Sequence, residues 1–211
     1  MSEREVSLFD RRLFLRGAGA ALFGLPALSL TAFGCGRGPR ALADSKSAEK
    51  ETAGLSWKTV LTPAGEPGTP LLVTGRVFAA DGKTTVEGVT LHVYHTDMRG
   101  LYSDQDGNGK EPRPRLKGWM KTDKEGRYEF RTVRPASYPG TNNPQHIHTE
   151  LYGAGYAQRW IPSYWFDDDP LVPPDKLAQY AGLGSFSPIV AVKRGPDGVF
   201  ACVRDIRLEE T

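Results

Sequence analysis

His146-Ile147-His148 sets two imidazoles two residues apart. On a β-strand, residues i and i+2 leave the same face, roughly 7 Å apart along the chain. The pair can therefore converge on one metal ion while Ile147 turns to the opposite face. The competing reading is two polar side chains on a solvent-facing strand. The remaining ligands decide which metal fits. Glu150 is the next residue on the same face, and His146, His148 and Glu150 together would form a two-His-one-carboxylate site of the Fe(II) kind. Two loop tyrosines offer a different set: Tyr102 in Gly100-Leu101-Tyr102-Ser103 and Tyr138 in Ser137-Tyr138-Pro139-Gly140. A phenolate is a hard anion and suits Fe(III). A tyrosine in a loop is commonly a packing residue, so residue types alone leave both sets open.

Short strands separated by turns must position these groups. Leu71–Phe78 alternates and is rich in β-branched residues, and Val89–His95 follows the Asp81-Gly82 turn. Gly118–Thr122 and Arg127–Val133 flank Asp123-Lys124-Glu125-Gly126, a hairpin signal. Gln145–Tyr152 alternates again, which places His146 and His148 on a strand. Pro188–Val192 and Val199–Leu208 flank a second hairpin turn, Gly195-Pro196-Asp197-Gly198. Only Pro174–Tyr180 reads as helix. This pattern predicts a single all-β sandwich of short antiparallel strands. The 24 Gly and 16 Pro lie mostly between the apolar runs, as turns require.

The run Thr122-Asp123-x-x-Gly126-x-Tyr128-x-Phe130-x-Thr132-Val133-x-Pro135-x-x-Tyr138-Pro139, then Pro144-x-His146-Ile147-His148, resembles the intradiol ring-cleavage dioxygenases. Gly153-x-Gly155-x-Ala157-Gln158-Arg159 and Phe166-x-x-Asp169 continue the resemblance, and Val93–Tyr102 is similar to that family's first tyrosine segment. The match runs from about Gly75 to Leu208 and is nearer the protocatechuate 3,4-dioxygenase type than the catechol type, which carries an added helical domain. The resemblance implies a non-haem Fe(III) held by Tyr102, Tyr138, His146 and His148. It implies O2-dependent opening of a catechol-type ring between its hydroxylated carbons, giving a muconate-type diacid. In that scheme Tyr138 is also catalytic, taking a proton from the substrate; no organic cofactor is implied, and relatives often form homo-oligomers.

Two positions depart from the family pattern. Asn143 stands where the family usually has Arg, and Ser163 where the protocatechuate branch has Gln; both positions are expected at the substrate. An amide does not replace a fixed charge. Arg99, Arg113 or Arg115 would have to supply it from another loop, or the sandwich would bind iron with little or altered catalysis.

Other features read as structural. Asp104-x-Asp106-Gly107-Asn108-Gly109 begins like a calcium loop, but its twelfth position is Arg115 rather than Glu. Asp167-Asp168-Asp169 reads as a solvated loop, His92 and His95 as structural or exposed, and Cys202 as a small buried hydrophobe.

The front of the chain reads as an address. Arg11-Arg12-Leu13-Phe14-Leu15 is the twin-arginine export pattern, followed by Gly17 to Phe33, an apolar stretch too short and interrupted for a membrane span. Ala41-Leu42-Ala43 ends a signal peptide over 1–43, and Gly34-Cys35 offers a competing lipid-anchored end. A solvated linker is expected over 44–65 and the sandwich over 66–211. This predicts passage through the Tat translocon to the periplasm or another extracytoplasmic place. Six of the 27 Lys/Arg and three of the 25 Asp/Glu lie in residues 1–43, so the body is nearly neutral. It carries no electrostatic footprint for nucleic acid.

Overall fold

A computed structural model describes residues 54–103 and 114–209, all within the unit Arg40–Thr211. The signal peptide, Cys35, the Asp104 loop and Arg113 lie outside the described residues.

Two sheets face each other. The first runs β1 (Lys58–Val60), β5 (Arg127–Val133), β2 (Pro70–Phe78), β10 (Phe200–Val203) and β9 (Lys193–Arg194), with β11 (Ile206–Arg207) also beside β2. The second runs β4 (Leu116–Lys121), β3 (Thr90–His95), β6 (His146–Gly153), β7 (Tyr156–Phe166) and β8 (Ile189–Val190). Among the described residues the one α-helix is α1, Pro174–Tyr180, continued by 3-10 turns over Ala181–Phe186. The all-β sandwich and the short helix match the sequence pattern, but the expected antiparallel pairing is corrected for β1–β5, β2–β10, β2–β11 and β7–β8, which run parallel.

Period-two alternation explains which side chains meet between the sheets. Leu91 and Val93 of β3, Ile147 and Leu151 of β6, Val73 and Val77 of β2, and Phe130 of β5 are buried in one cluster. Burial of each such side chain contributes roughly 1.5–3 kcal/mol. The alternation that sends Ile147 inward sends His146, His148 and Glu150 to the other face of β6. Pairing of β3 with β6 sets Tyr94 opposite His148 and His92 opposite Glu150.

Two elements were not foreseen. β1 falls inside the expected linker: Lys58–Val60 pairs in parallel with Glu129–Arg131, and Leu61 joins the core. The fold thus begins ahead of residue 66. β7, at 11 residues, was missed altogether. Its first half forms the rim of the sheet, because β8 pairs only with Trp165 and Phe166.

Candidate metal centre

The two histidines sit at the start of β6, and the two tyrosines come from loops that are tied together. Asp97, nearly fully buried at 4% exposure, shapes the loop after β3. Its carboxylate accepts the N–H groups of Arg99 (2.8 Å) and Leu101 (3.1 Å) and the Arg99 Nε (2.9 Å). Burial alone would push the Asp97 carboxyl up; these donors hold it below the usual range. The Asp97 carbonyl accepts Ala136 N–H at 3.1 Å, and Thr96 Oγ1 donates to the Ala136 carbonyl at 2.7 Å. The loop carrying Tyr102 is thereby fastened to the loop carrying Tyr138. Gly100 makes the close approach feasible: its φ is 81°, and a Cβ there would lie 2.1 Å from the Ser137 carbonyl oxygen.

Four donor atoms converge. Tyr138 Oη lies 2.9 Å from His146 Nε2 and 3.2 Å from His148 Nε2, and the two Nε2 atoms are 3.1 Å apart. The Tyr102 and Tyr138 hydroxyls are hydrogen-bonded. His146 Nδ1–H donates to the Pro144 carbonyl at 2.6 Å, which leaves the Nε2 lone pair directed at the cluster. His148 Nδ1 lies 3.4 Å from Ser163 Oγ, and its ring stacks on Tyr94 at 4.8 Å. Burial, then the neighbouring His146, lowers His148 to about 4, so its imidazole is neutral and able to act as a ligand. Two hard phenol oxygens and two imidazole nitrogens, linked to one another through Tyr138 at hydrogen-bond distance, fit a ferric ion.

Glu150 does not join them. Its carboxylate accepts Gln158 Nε2 at 2.6 Å and faces His92 Nδ1 at 3.6 Å. Among the described residues no group of three His, Cys, Asp or Glu is placed to hold a metal ion. The tyrosine-containing set is the one the fold assembles.

The substrate-side expectations divide. Ser163 is beside His148, as the family position implies. Asn143 is exposed on a turn, and its described hydrogen bond is from its backbone N–H to Thr141 Oγ1. Arg99 and Arg115 are committed elsewhere: Arg99 to Asp97, and Arg115 to Glu66. Neither is a freely placed replacement for the missing guanidinium. A cavity of about 430 Å3 opens beside the cluster, with Tyr94, Tyr102, Trp119, Trp160 and Lys117 in its wall. Trp119 stacks on His92 at 4.4 Å, so His92 has a place in this wall.

His95 is structural, as expected: it is buried between the Thr96 carbonyl and Thr132 Oγ1, each at 2.6 Å. Cys202 is in the core, where burial pushes its thiol up to about 12. The solvated reading of Asp167-Asp168-Asp169 holds for the exposed Asp167 and Asp168 and is corrected for Asp169. Asp169 is buried and its Oδ2 accepts Gln145 N–H at 2.6 Å, while Asp168 pairs with Arg134. Arg134 Nε in turn donates to Gln145 Oε1 at 2.6 Å. These residues fix the chain just ahead of His146, a role that a run of three acids does not announce.

Comparison with known proteins bears on the family and the fold. A family model described as Dioxygenase matches residues 45–209. Protocatechuate 3,4-dioxygenase beta chain of Burkholderia cepacia is 36% identical over 124 residues, covering 54% of this chain and 52% of the relative. Catechol 1,2-dioxygenase 1 of Acinetobacter lwoffii is 30% identical over 142 residues, covering 60% and 44%. The chain thus spans about half the length of these curated relatives. Among solved structures, mercury-inhibited catechol 1,2-dioxygenase from Acinetobacter sp. ADP1 superposes with a TM-score of 0.57 at 19% identity, covering 81% of this chain and 68% of that one. The dioxygenase domain of a carbohydrate-binding fusion protein from Streptomyces sp. SirexAA-E gives 0.55 at 22% identity, covering 72% and 88%. Both show the shared sandwich.

Proposed function

Because this chain belongs to the intradiol ring-cleavage dioxygenase family, we propose that it opens a catechol-type ring with O2 between the two hydroxylated carbons. The product would be a muconate-type diacid. Convergence of Tyr102, Tyr138, His146 and His148 carries this reading, since these are the residues that would hold a ferric iron. When bound, the iron supplies a Lewis acid that lowers the pKa of the substrate hydroxyls.

The protein's own groups do the rest. Tyr138 Oη stands between Tyr102 Oη and both imidazoles, so it can accept the proton of an incoming hydroxyl. The Pro144 carbonyl fixes the tautomer of His146. Trp160, Tyr94 and Trp119 give the adjoining cavity flat walls for an aromatic ring, and Lys117 adds a positive charge at its edge. With Asn143 exposed and Arg99 and Arg115 paired, Lys117 is the cation in that wall for charge building on the substrate. The twin-arginine stretch is the sole basis for proposing that this happens outside the cytoplasm.

A second reading has a specific support. The same commitment of Arg99 and Arg115 favours an iron-binding sandwich with slow turnover. An oxygen electrode separates the two. The iron-loaded chain with catechol should consume one O2 per ring and yield an ultraviolet-absorbing diacid. Iron binding with no oxygen uptake on any catechol would select the second reading.

A further inference from the structure

A second cavity, of about 680 Å3, opens along the edge of β7 that β8 leaves uncovered, the other edge being paired with β6. The 3-10 turns over Ala181–Phe186 and the C-terminal stretch 204–209 close its other sides. This volume falls within the range of small-molecule sites. Ile161, Leu183, Phe186 and Leu208 give it an apolar wall.

Arg204 also stands in that wall, 4% exposed, with its guanidinium 4.3 Å over the Tyr164 ring. Its Nε and Nη1 are buried and meet no hydrogen-bond acceptor among the described residues. Buried guanidinium donors without acceptors are costly to hold, and an aromatic face offsets only part of that. The acids lining the cavity are used by others: Asp205 accepts the Arg76 N–H at 2.9 Å, and Glu209 pairs with Arg159 at 3.0 Å. Arg207 adds a further positive charge, stacked over Phe186.

We propose that this cavity binds a small carboxylate with a flat apolar body, its carboxylate oxygens accepting from the Arg204 guanidinium. A carboxylate brings both the missing charge and the missing acceptors, and the body lies against Ile161, Leu183 and Phe186. A planar guanidinium matches carboxylate geometry well. The site is separate from the tyrosine–histidine cluster, so it holds whether or not the proposed reaction is right.

Benzoate is the probe. Calorimetric titration of the full chain, kept anaerobic and with excess catechol present to fill the cavity beside the tyrosine–histidine cluster, should show one benzoate site. Arg204→Met should weaken it at least tenfold. Leu183→Trp, which fills the cavity from its partly exposed side, should weaken it as well and decides the matter if Arg204→Met does not fold. Inorganic phosphate, which lacks an apolar body, should bind at least tenfold less tightly than benzoate. Absence of benzoate binding under excess catechol, or equal affinity in the folded variants, would overturn the site. Phosphate binding as tight as benzoate would overturn the ligand class.

Discussion

The carboxylate of Asp169 accepts the backbone N–H of Gln145 across 2.6 Å, one residue before His146. Asp169 lies just past the end of β7, so this bond ties the neighbouring strand's end to the residue just ahead of the His-x-His strand. Asp169→Ala removes the acceptor and frees the approach to His146. Iron affinity, measured by competition with a chelator, should fall roughly 10- to 100-fold, the usual effect of losing support behind a ligand. Asp169→Asn, which keeps an acceptor oxygen, should restore most of it. Equal affinity in wild type and Asp169→Ala would show that the bond does not position the ligand.

Gly100 lets the two tyrosine loops touch. In Gly100→Ala the new Cβ meets the Ser137 carbonyl, and the residue must still hold a φ of 81°. The loops should separate, so the variant should bind iron weakly while the remote core, probed by urea unfolding followed by circular dichroism, stays folded. A Gly100→Ala protein with full iron content would contradict the loop contact.

Burial lowers the His95 imidazole to about 4 in the folded protein, whereas the unfolded chain's takes its proton near 6.5. Between those values the unfolded state binds more protons, so stability is full above about 6.5 and falls as pH drops toward 4. From pH 7 to pH 5 this group should remove about 2 kcal/mol. His95→Leu, which cannot take the proton, should be less stable than wild type at pH 7 and should lose less between pH 7 and pH 5. Urea midpoints measured at both values check it; parallel losses in the two proteins would exclude His95 as the source.

Lys117 brings its ammonium to the wall of the cavity beside Tyr102 and Trp119. Lys117→Met should lower kcat/KM for a ring bearing a carboxylate about tenfold more than for unsubstituted catechol, because the neutral ring loses less attraction. Equal losses would assign Lys117 to general stability.

The sequence disclosed the parts of the site whose periodicity was clean. His146-Ile147-His148 lies in an alternating strand, and the Asp123–Gly126 turn leads into the strand before Tyr138. Residue types alone did not choose between Glu150 and the tyrosines. That choice came from the family motif, and the positions of the side chains now support it. β7 escaped because its alternation changes phase around Pro162: Trp160 and Pro162 are exposed, while Tyr164 and Phe166 on the same face are buried, so no single two-residue period runs through it. β1 escaped because three residues with mixed exposure carry no period. Asp169 reads as part of a solvated loop and nothing in the sequence singles out Arg204; only the fold reveals that each is buried, Arg204 with its Nε and Nη1 lacking acceptors among the described residues and Asp169 with two backbone donors.

The visible absorption spectrum of the iron-loaded, oxidised protein tests the central claim most directly. Tyrosinate on Fe(III) gives a charge-transfer band, so wild type should be red-brown and its band should shift when catechol is added without air. Tyr138→Phe should weaken and shift the band, and Glu150→Ala should leave it unchanged. A colourless iron-loaded protein, or a band that survives Tyr138→Phe and disappears in Glu150→Ala, would contradict the assignment of Tyr102, Tyr138, His146 and His148 as the metal centre.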